Sequence, residues 1–246
     1  SAEVELASSW PWVLLCHHAA DVTKSKSTDF DLARALTNNT NNVGAMLEAL
    51  QARKGSARVV VTGSVFENDE GVGSEGLPAF SPYGLSKGFA WQVFRYHAAR
   101  ICLPLGKFVI PNPFGPYEDP RLTTYLMTTW FAGKPATVNT SAYVRDNVHV
   151  SLLAKAYLKF ATELPIQSGL YRTNPSGYPE SQGAFSLRFA REMRSRLDLQ
   201  CELELLQQHE FAEPRVRINT DPIDGMILGW NEAHAWDEIA AYFQRK

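Results

Sequence analysis

A tyrosine and a lysine four residues apart, Tyr83 and Lys87, are the pair of side chains with the clearest chemical potential in this sequence. On a helix, residues i and i+4 project from the same face, one turn apart. An ammonium group beside a phenol favours the phenolate, which suits a tyrosine to exchange a proton with a sugar hydroxyl or a ketone. The same lysine can donate hydrogen bonds to the ribose of a cofactor. The pair therefore predicts a proton-transfer site for redox chemistry.

The spacing alone is weak support, because Tyr242 and Lys246 repeat it at the C-terminal end. That second pair is typical of an amphipathic surface helix. The context of Tyr83 is different, since residues 58–62 are apolar and β-branched, which predicts a buried strand before the Tyr–Lys helix. Thr62 and Ser64 close this run, and a hydroxyl from either could hold a substrate oxygen beside the tyrosine.

Strands and helices must alternate to position these residues. The hydrophobic pattern predicts an α/β fold, a doubly wound parallel sheet whose functional residues lie at the carboxyl ends of the strands. The predicted strands are residues 12–16, 58–62, 107–110, 142–145 and 169–173, and the predicted helices are residues 29–52, 82–100, 122–132, 148–161, 186–197 and 235–243.

Composition narrows the class of function. The chain has 246 residues, 45% of them hydrophobic, and a net charge of −2, which predicts a globular core without a basic surface for nucleic acid. No apolar run is long enough to span a membrane. Three widely spaced cysteines (Cys16, Cys102 and Cys201) disfavour a disulfide framework or a zinc site and favour a reducing cytoplasm. His17, His18 and His149 are expected to lie in the core or to support a neighbouring site residue rather than to bind metal, and Glu67, Asp69, Glu70 and Glu75 are expected in a solvated loop.

Four further segments carry motifs: His17-His-Ala-Ala20, Asn39-Thr-Asn-Asn-Val-Gly-Ala45, Ile110-Pro-Asn-Pro-Phe-Gly-Pro116 and Tyr143-Val-Arg-Asp-Asn-Val-His-Val150. Together with Ser81-Pro-Tyr-Gly-Leu-Ser-Lys87 they resemble the extended short-chain dehydrogenase/reductase family, the NAD-dependent nucleotide-sugar epimerases, dehydratases and reductases. The resemblance covers nearly the whole chain. It implies a Rossmann-like dinucleotide-binding domain over residues 1–116 and a smaller, interleaved substrate-binding α/β region over residues 117–246.

The resemblance implies catalytic roles for a small set of residues. Tyr83 would be the acid/base, and Lys87 would modulate its pKa and anchor the cofactor ribose. Thr62, with Ser64 as a close alternative, would hold the substrate oxygen. Asn39 falls at the active-site asparagine of the family.

Binding roles follow from the same resemblance. The cofactor would be NAD or NADP, in contact with the Tyr–Lys pair and with Ala19, Ala20 and Pro111. A nucleotide sugar would contact Asn112, Arg145 and Arg215, the two arginines through its phosphates. Arg215 and Arg217 both lie where the family places its second phosphate-binding arginine, and Arg145 could instead form a structural ion pair with Asp146.

The sequence departs from the family at the phosphate-binding turn, since no Gly-x-x-Gly-x-x-Gly follows a first strand. We expect either an N-terminally incomplete chain, which is favoured, or a homologue that has lost half of its dinucleotide site. Epimerisation is the favoured reaction. The alternatives are reduction of a keto sugar or a small ketone, and a fold homologue without catalysis. The resemblance disfavours 4,6-dehydration, because Gly63 and Ser64 stand where the related dehydratases carry an acidic pair.

Members of the family often form homodimers through the tyrosine-bearing helix and its neighbour. The apolar residues that would suit such an interface are Phe89, Trp91, Val93 and Phe94 on one helix and Leu47 and Leu50 on the other. The sequence leaves open whether these residues are buried within one chain.

Overall fold

A computed structural model describes residues 14–22, 29–53 and 57–245, which form two compact units. Within those residues, unit 1 contains the chain up to Glu70 together with Leu77–Ile110 and Tyr157–Asn174. Unit 2 contains Gly71–Gly76, Pro111–Ala156 and the chain from Pro175 onward. Each unit is assembled from separate segments of the chain. The boundary expected near residue 116 stays a prediction.

The elements are numbered in chain order. The helices are α1 (Leu32–Thr40), α2 (Val43–Gln51), α3 (Pro82–Arg100), α4 (Leu122–Phe131), α5 (Val150–Glu163), α6 (Gln182–Leu197) and α7 (Glu232–Gln244). The strands are β1 (Leu14–His17), β2 (Arg58–Ser64), β3 (Val72–Gly73), β4 (Leu105–Ile110), β5 (Asn112–Phe114), β6 (Ala136–Val138), β7 (Val144–His149), β8 (Leu170–Thr173), β9 (Pro175–Ser176), β10 (Tyr178–Ser181), β11 (Leu203–Leu205), β12 (Val216–Ile218) and β13 (Asp221–Pro222).

Unit 1 is built on a parallel sheet with the strand order β1-β2-β4-β8. The β2 strand is buried along its middle five residues, as its unbroken apolar run requires for a central parallel strand. A core of aliphatic and aromatic side chains, including Leu47, Leu50 and Phe94, packs α2 and α3 against this sheet. The predicted α/β fold with a parallel sheet is therefore confirmed. The first two residues of the predicted first strand, Trp12 and Val13, lie outside the described residues.

One predicted helix is two helices in the structure. The pattern over residues 29–52 predicts a single helix, but α1 ends at Thr40 and α2 begins at Val43. Asn42 between them has φ 62°, a left-handed conformation that asparagine tolerates better than most residues. The sequence Thr40-Asn-Asn42 also has low helix propensity. The break follows from these three residues. The apolar periodicity continues on either side of them, and this is why the pattern alone predicts one continuous helix.

Unit 2 holds a mixed five-stranded sheet with the main path β10-β7-β12-β3, and β5 pairs with β7 in parallel. Its core is aromatic, with Phe114, Phe185, Phe189 and Trp236 in mutual contact. Among the described residues, no helix combines the length and apolar character that crossing a membrane requires.

Candidate active site

Helix α3 presents the Tyr–Lys pair on its first turns. The Ser81 side chain caps the helix by accepting a hydrogen bond from the Gly84 backbone N–H, and Pro82 occupies the first helical turn, where its missing N–H costs nothing. The Tyr83 ring meets Phe30 edge-on at 6.4 Å between centroids. The helix start is thus set by local capping, and this places Tyr83 and Lys87 one turn apart, as the spacing predicts.

Lys87 is a buried cation at the carboxyl end of β2. Its side chain is buried, and its Nζ donates to the Thr62 carbonyl oxygen at 2.5 Å. Burial lowers the pKa of Lys87, and the Lys107 ammonium lowers it further, while the Glu67 carboxylate opposes both effects. An ammonium group has three donors, so two remain for other partners after the contact with Thr62.

Of the two candidate hydroxyls, Thr62 lies nearer to this cation. Its backbone carbonyl accepts from Lys87, and its Oγ1 lies 2.7 Å from His18 Nδ1. The Ser64 hydroxyl instead accepts from the backbone N–H of Phe66 at 3.2 Å, a local turn contact. The geometry of unit 1 therefore brings Thr62, His18 and Lys87 together and gives Ser64 a local partner.

Two of the acids expected in a solvated loop are buried, which makes that expectation wrong for Glu67 and Glu70. Lys107 Nζ lies 2.6 Å from a carboxylate oxygen of each, and all three side chains are almost completely inaccessible. Arg172 binds the other oxygen of Glu70 at 2.6 Å and is half-exposed. Burial raises the pKa of Glu67, and the Lys107 ammonium opposes this. The four charges form a network under the β2–α3 connection, where Glu67 also accepts from the Ser64 backbone N–H at 2.8 Å.

Asn39 lies in α1, away from solvent. Its Oδ1 accepts a hydrogen bond from the Asp21 backbone N–H at 2.7 Å, and its Nδ2 has no partner among the described residues. The bond ties α1 to the segment that follows β1, which includes Ala19 and Ala20. Asn39 therefore holds the backbone that the resemblance places against the dinucleotide, and its unused amide is a free donor for a ligand or water.

In unit 2, Asn112 lies on β5 beside β7. Its Nδ2 donates to Asn147 Oδ1 at 2.5 Å, which leaves the Asn112 oxygen as an acceptor. Asn147 is buried, and its own Nδ2 has no partner among the described residues. Pro111, which precedes this strand, is buried.

Arg145 is buried in β7 and contacts the 213–215 segment. Its NH2 binds Glu213 at 3.0 Å, and its NH1 donates to the carbonyl oxygens of Pro214 and Arg215 at 3.1 Å each. The guanidinium also lies 4.5 Å from the centre of the Tyr143 ring. Arg145 is thus held by the 213–215 segment, where the Glu213 carboxylate balances the positive charge of its guanidinium.

The alternative role for Arg145, a pair with Asp146, does not match the strand geometry. Consecutive residues of a strand face opposite sides of the sheet. Asp146 instead accepts from the backbone N–H groups of Gly177 and Asn219, at 2.8 and 3.2 Å. Asp146 therefore has a structural role within unit 2.

The two later arginines differ in exposure. Arg215 is exposed and lies 5.5 Å from the Phe211 ring centre, whereas Arg217 is 1% exposed within β12. Arg215 can therefore reach a ligand from solvent, and Arg217 contributes to the interior of unit 2.

The dinucleotide fits the described residues in part. Among the described residues, two Lys87 donors and the Asn39 amide have no partner, and these groups suit the ribose and nicotinamide half of NAD(P). A Gly-x-Gly-x-x-Gly does occur at Gly71–Gly76. The structure places Val72 and Gly73 in β3, antiparallel to β12, and the next helix begins only at Pro82. This loop therefore lacks the strand–turn–helix setting of a phosphate-binding turn.

The residues of the expected dimer interface differ in exposure. Leu47, Leu50 and Phe94 are fully buried in the core of unit 1, so they are not available for an interface. Phe89 is 44% exposed on α3. All three cysteines are free thiols, and no group of three or more potential metal-ligating side chains occurs in the described ranges.

Comparison with known proteins defines first a class of fold and then a family. Several of the solved structures that the chain resembles are UDP-sugar 4-epimerases, and the chain shares their Rossmann-like α/β fold although the sequences are distant. The model of the NAD dependent epimerase/dehydratase family matches residues 13–168, more than half of the chain. The chain therefore belongs to the NAD dependent epimerase/dehydratase family. This confirms the expected extended short-chain dehydrogenase/reductase resemblance and an NAD-dependent class of enzyme, with the reaction type open.

Three of the similar structures show how low the sequence identity is. The UDP-glucuronic acid 4-epimerase from Bacillus cereus, in complex with UDP-glucuronic acid and NAD, has 17% identity and a TM-score of 0.67, covering 100% of this chain and 79% of its own. The UDP-glucose 4-epimerase from Thermotoga maritima, with UDP-glucose, has 16% identity and a TM-score of 0.69, covering 99% and 81%. The UDP-N-acetylglucosamine 4-epimerase from Methanobrevibacter ruminantium M1 has 14% identity and a TM-score of 0.72, covering 100% and 80%. No curated protein sequence matches the chain.

Proposed function

We propose that this protein is an NAD(P)-dependent epimerase acting on a nucleotide-activated sugar through Tyr83 and Lys87. Bound NAD(P) would supply the hydride acceptor and donor for a sugar carbon. Tyr83 would take the proton from the substrate hydroxyl and return it. Thr62 would hold the same oxygen, and Lys87 would stabilise the tyrosinate and bind the ribose.

The observation that carries this proposal is the contact between Lys87 Nζ and the Thr62 carbonyl oxygen at 2.5 Å. It places a buried cation at the strand end that carries the candidate hydroxyl, one helical turn from Tyr83. A surface Tyr-x-x-x-Lys has no such neighbour. The family match supports NAD as the cofactor, since its description names NAD. The similar epimerases that bind UDP-glucose or UDP-glucuronic acid support a UDP-sugar as the first substrate to test.

Recognition of the sugar nucleotide is assigned to Asn112, Arg145 and Arg215 of unit 2, with the arginines binding phosphate. A guanidinium suits this role because its planar donors match phosphate oxygens in pairs. Arg145 would exchange its contact with Glu213 for the ligand, and the exposed Arg215 would add a second cation. Pro111, Ala19 and Ala20 would contact the cofactor.

The decisive experiment compares Tyr83→Phe with Tyr242→Phe in the intact protein. Interconversion of UDP-glucose and UDP-glucuronic acid with their 4-epimers would be followed by NMR, and NAD binding by calorimetry. Tyr83→Phe should lower kcat by about 10²- to 10⁴-fold, the usual loss of an acid/base group, without weakening NAD binding. Tyr242→Phe removes the matching hydroxyl from the C-terminal pair, whose lysine, Lys246, lies outside the described residues, and it should leave turnover unchanged.

Equal activity of the wild type and Tyr83→Phe would overturn the proposed role of Tyr83. Reduction of a keto sugar or a small ketone without epimerisation would favour the reductase alternative. Failure of the wild-type protein to bind either NAD or NADP would favour a fold homologue without catalysis.

A homodimer through α3 and a cytoplasmic location are parts of the same proposal. Phe89, exposed on α3, is the residue whose replacement tests the dimer. Phe89→Glu should convert a dimer to a monomer in light scattering, whereas the exposed Leu158→Glu on α5 should not. The free thiols of the three cysteines are compatible with a reducing compartment.

A further inference from the structure

Two backbone groups at the end of β2 are bound by side chains. In a parallel sheet, successive residues direct their backbone groups to opposite neighbouring strands. Val65 donates to β4, so Thr62 and Ser64 direct theirs toward β1, whose pairing ends one residue before Thr62. Beyond that end, Lys87 Nζ donates to the Thr62 carbonyl oxygen at 2.5 Å. The Glu67 carboxylate accepts from the Ser64 N–H at 2.8 Å. A buried cation and a buried carboxylate therefore occupy adjacent hydrogen-bonding positions on one edge of the strand.

Lys107 reaches the same carboxylate from β4 by crossing over Gly63. Its Nζ lies 2.6 Å from Glu67 Oε2. A Cβ at Gly63 would lie 2.6 Å from Lys107 Cε and 3.3 Å from Glu67 Oε1, so the glycine leaves the room that this crossing needs. The Lys107 ammonium also lies 5.0 Å from the centre of the Trp91 ring, which is on α3 one turn after Lys87. Glu67 is therefore bonded to one buried cation and adjoins a second.

The charge on Lys87 depends on groups from several elements. Burial has the largest effect on its pKa and lowers it, the Glu67 carboxylate raises it, and the Lys107 ammonium lowers it by less. From the β1 side, His17 and His18 are neutral at pH 7, because burial and Lys87 lower the pKa of each. The other charged groups in this part of unit 1 form their own pairs: Glu70 with Lys107 and Arg172, and Asp21 with Arg34 of α1. Of the described groups that act on Lys87, Glu67 alone favours the charged form.

We propose that Glu67 is a positioning residue of the candidate active site, which fixes the end of β2 beside Thr62 and keeps Lys87 in its ammonium form. Lys107 holds the carboxylate in place for both tasks. This inference rests on the proposed function, in which the Lys87 ammonium stabilises the tyrosinate and binds the ribose. Glu67 acts only through Lys87 and the strand end, and no covalent bond to it forms or breaks. The buried network thus sets the pH range over which the Tyr–Lys pair can work.

The charge on Lys87 can be followed without turnover. In the intact protein labelled with ¹³Cε-lysine, the Lys87 resonance is assigned by its loss in Lys87→Arg and is titrated against pH. Glu67→Gln should move the midpoint to lower pH, because the carboxylate is lost while the Lys107 ammonium remains. Glu70→Gln is the matched control, since it removes a second buried carboxylate bonded to the same ammonium. Its midpoint should stay close to that of the wild type.

Two outcomes would overturn the role of Glu67 whether or not the protein is an epimerase. One is an unchanged midpoint in Glu67→Gln, and the other is an equal displacement in Glu70→Gln, which would indicate a general loosening of the network. If Glu67→Gln does not fold, the double variant Glu67→Gln/Lys107→Met removes one buried charge of each sign. Its midpoint should still lie below that of the wild type, because the effect of Glu67 on Lys87 exceeds that of Lys107. A midpoint at or above the wild-type value would contradict the inference.

Turnover gives a second readout that a purely structural role would not move. In Glu67→Gln, the ratio of kcat at pH 9 to kcat at pH 7 should be about 10-fold lower than in the wild type, as expected when a close opposite charge is removed from a titrating group. Glu70→Gln should keep the wild-type ratio. An active Glu67→Gln enzyme with an unchanged ratio would overturn the role of Glu67 and leave the epimerase proposal intact. A displaced Lys87 titration in a protein that turns over no sugar nucleotide would support the effect of Glu67 on Lys87 and count against the proposed function alone.

Discussion

At the scale of single residues, burial decides how much a charge pair contributes. Lys107 and Lys159 each lie within 2.6 Å of a glutamate oxygen, but the first side chain is 2% exposed and the second 47%. Water screens the second pair and cannot reach the first. The two lysines therefore form a natural comparison within one chain.

Lys107→Met should lower the free energy of unfolding by about 3–5 kcal/mol, because it leaves Glu67 and Glu70 buried without their cation. Lys159→Met should change it by less than about 0.5 kcal/mol, as for exposed pairs at i,i+4 spacing. Urea unfolding at pH 7 measures both values. Equal effects of the two variants would contradict the buried network.

Residue types near the Tyr–Lys pair could be predicted from the sequence, but their partners could not. The spacing of Tyr83 and Lys87 and the hydroxyl at Thr62 follow from local pattern. The contact of Thr62 with His18 joins residues 44 positions apart. The burial of Glu67 depends on Lys107, 40 positions later, so its acidic surroundings in sequence pointed to solvent instead.

At the scale of elements, α3 approaches the 66–68 segment along two glycines. A Cβ at Gly84 would lie 2.2 Å from the Phe66 carbonyl oxygen. At Gly88 the nearest atom is Asn68 Oδ1 at 2.6 Å, the end of an exposed and flexible side chain. The two positions are four residues apart on one helix. An added Cβ would displace backbone atoms at Gly84 and side-chain atoms at Gly88.

Gly84→Ala should destabilise the protein by about 1–3 kcal/mol, since the backbone of residue 66 has to shift and the cost of overpacking exceeds the gain in helix propensity. It should also lower turnover, because Tyr83 is the preceding residue. In Gly88→Ala the Asn68 side chain can rotate away, so stability should stay the same or rise by up to about 1 kcal/mol. Thermal unfolding of both variants gives the comparison, and a stabilised Gly84→Ala would show that the contact is looser than described.

Helix α3 was predicted with its observed ends because its signals are local, a serine cap followed by proline. The division between α1 and α2 was missed because apolar periodicity continues across it. A single left-handed residue, Asn42, interrupts the backbone without interrupting the pattern.

At the scale of the whole molecule, two largely buried histidines link stability to pH. Burial is the leading cause that lowers the pKa of His17, in unit 1, and of His149, in unit 2, to about 4 in each case. The folded pKa lies below the unfolded value of about 6.5. Their stabilisation is therefore fully present above pH 6.5 and is lost as the pH falls from 6.5 toward 4.

We expect the free energy of unfolding to decrease over that window, with His149 contributing about 1.4 kcal/mol per pH unit between pH 6 and 5. His149→Asn keeps an acceptor for the Ser151 backbone N–H and does not titrate, so its slope should be shallower by this amount. His209→Asn changes an exposed side chain and serves as the control. Denaturant unfolding at pH 7, 6 and 5 measures the slopes, and identical slopes for wild type and His149→Asn would exclude this role.

The parallel sheet of unit 1 could be predicted because three of its four strands, β1, β2 and β4, are distinct apolar runs. The assignment of segments to the two units could not, since the chain passes from unit 2 to unit 1 between Ala156 and Tyr157, in the middle of α5, where the sequence has no corresponding signal. The pairing of β3 with β12, residues 72–73 with residues 217–218, has no local signal either.

The network around Lys107 also constrains how this sequence can change over generations. Its charges balance only together: Lys107 serves Glu67 and Glu70, and Arg172 serves the second oxygen of Glu70. Replacement of Lys107 alone would leave two buried carboxylates without their cation. Viable homologues should therefore change the lysine and both glutamates together. Correlated substitution at positions 67, 70 and 107 across relatives would be the record of that constraint, and independent variation at these positions would show that the interior tolerates their charges singly.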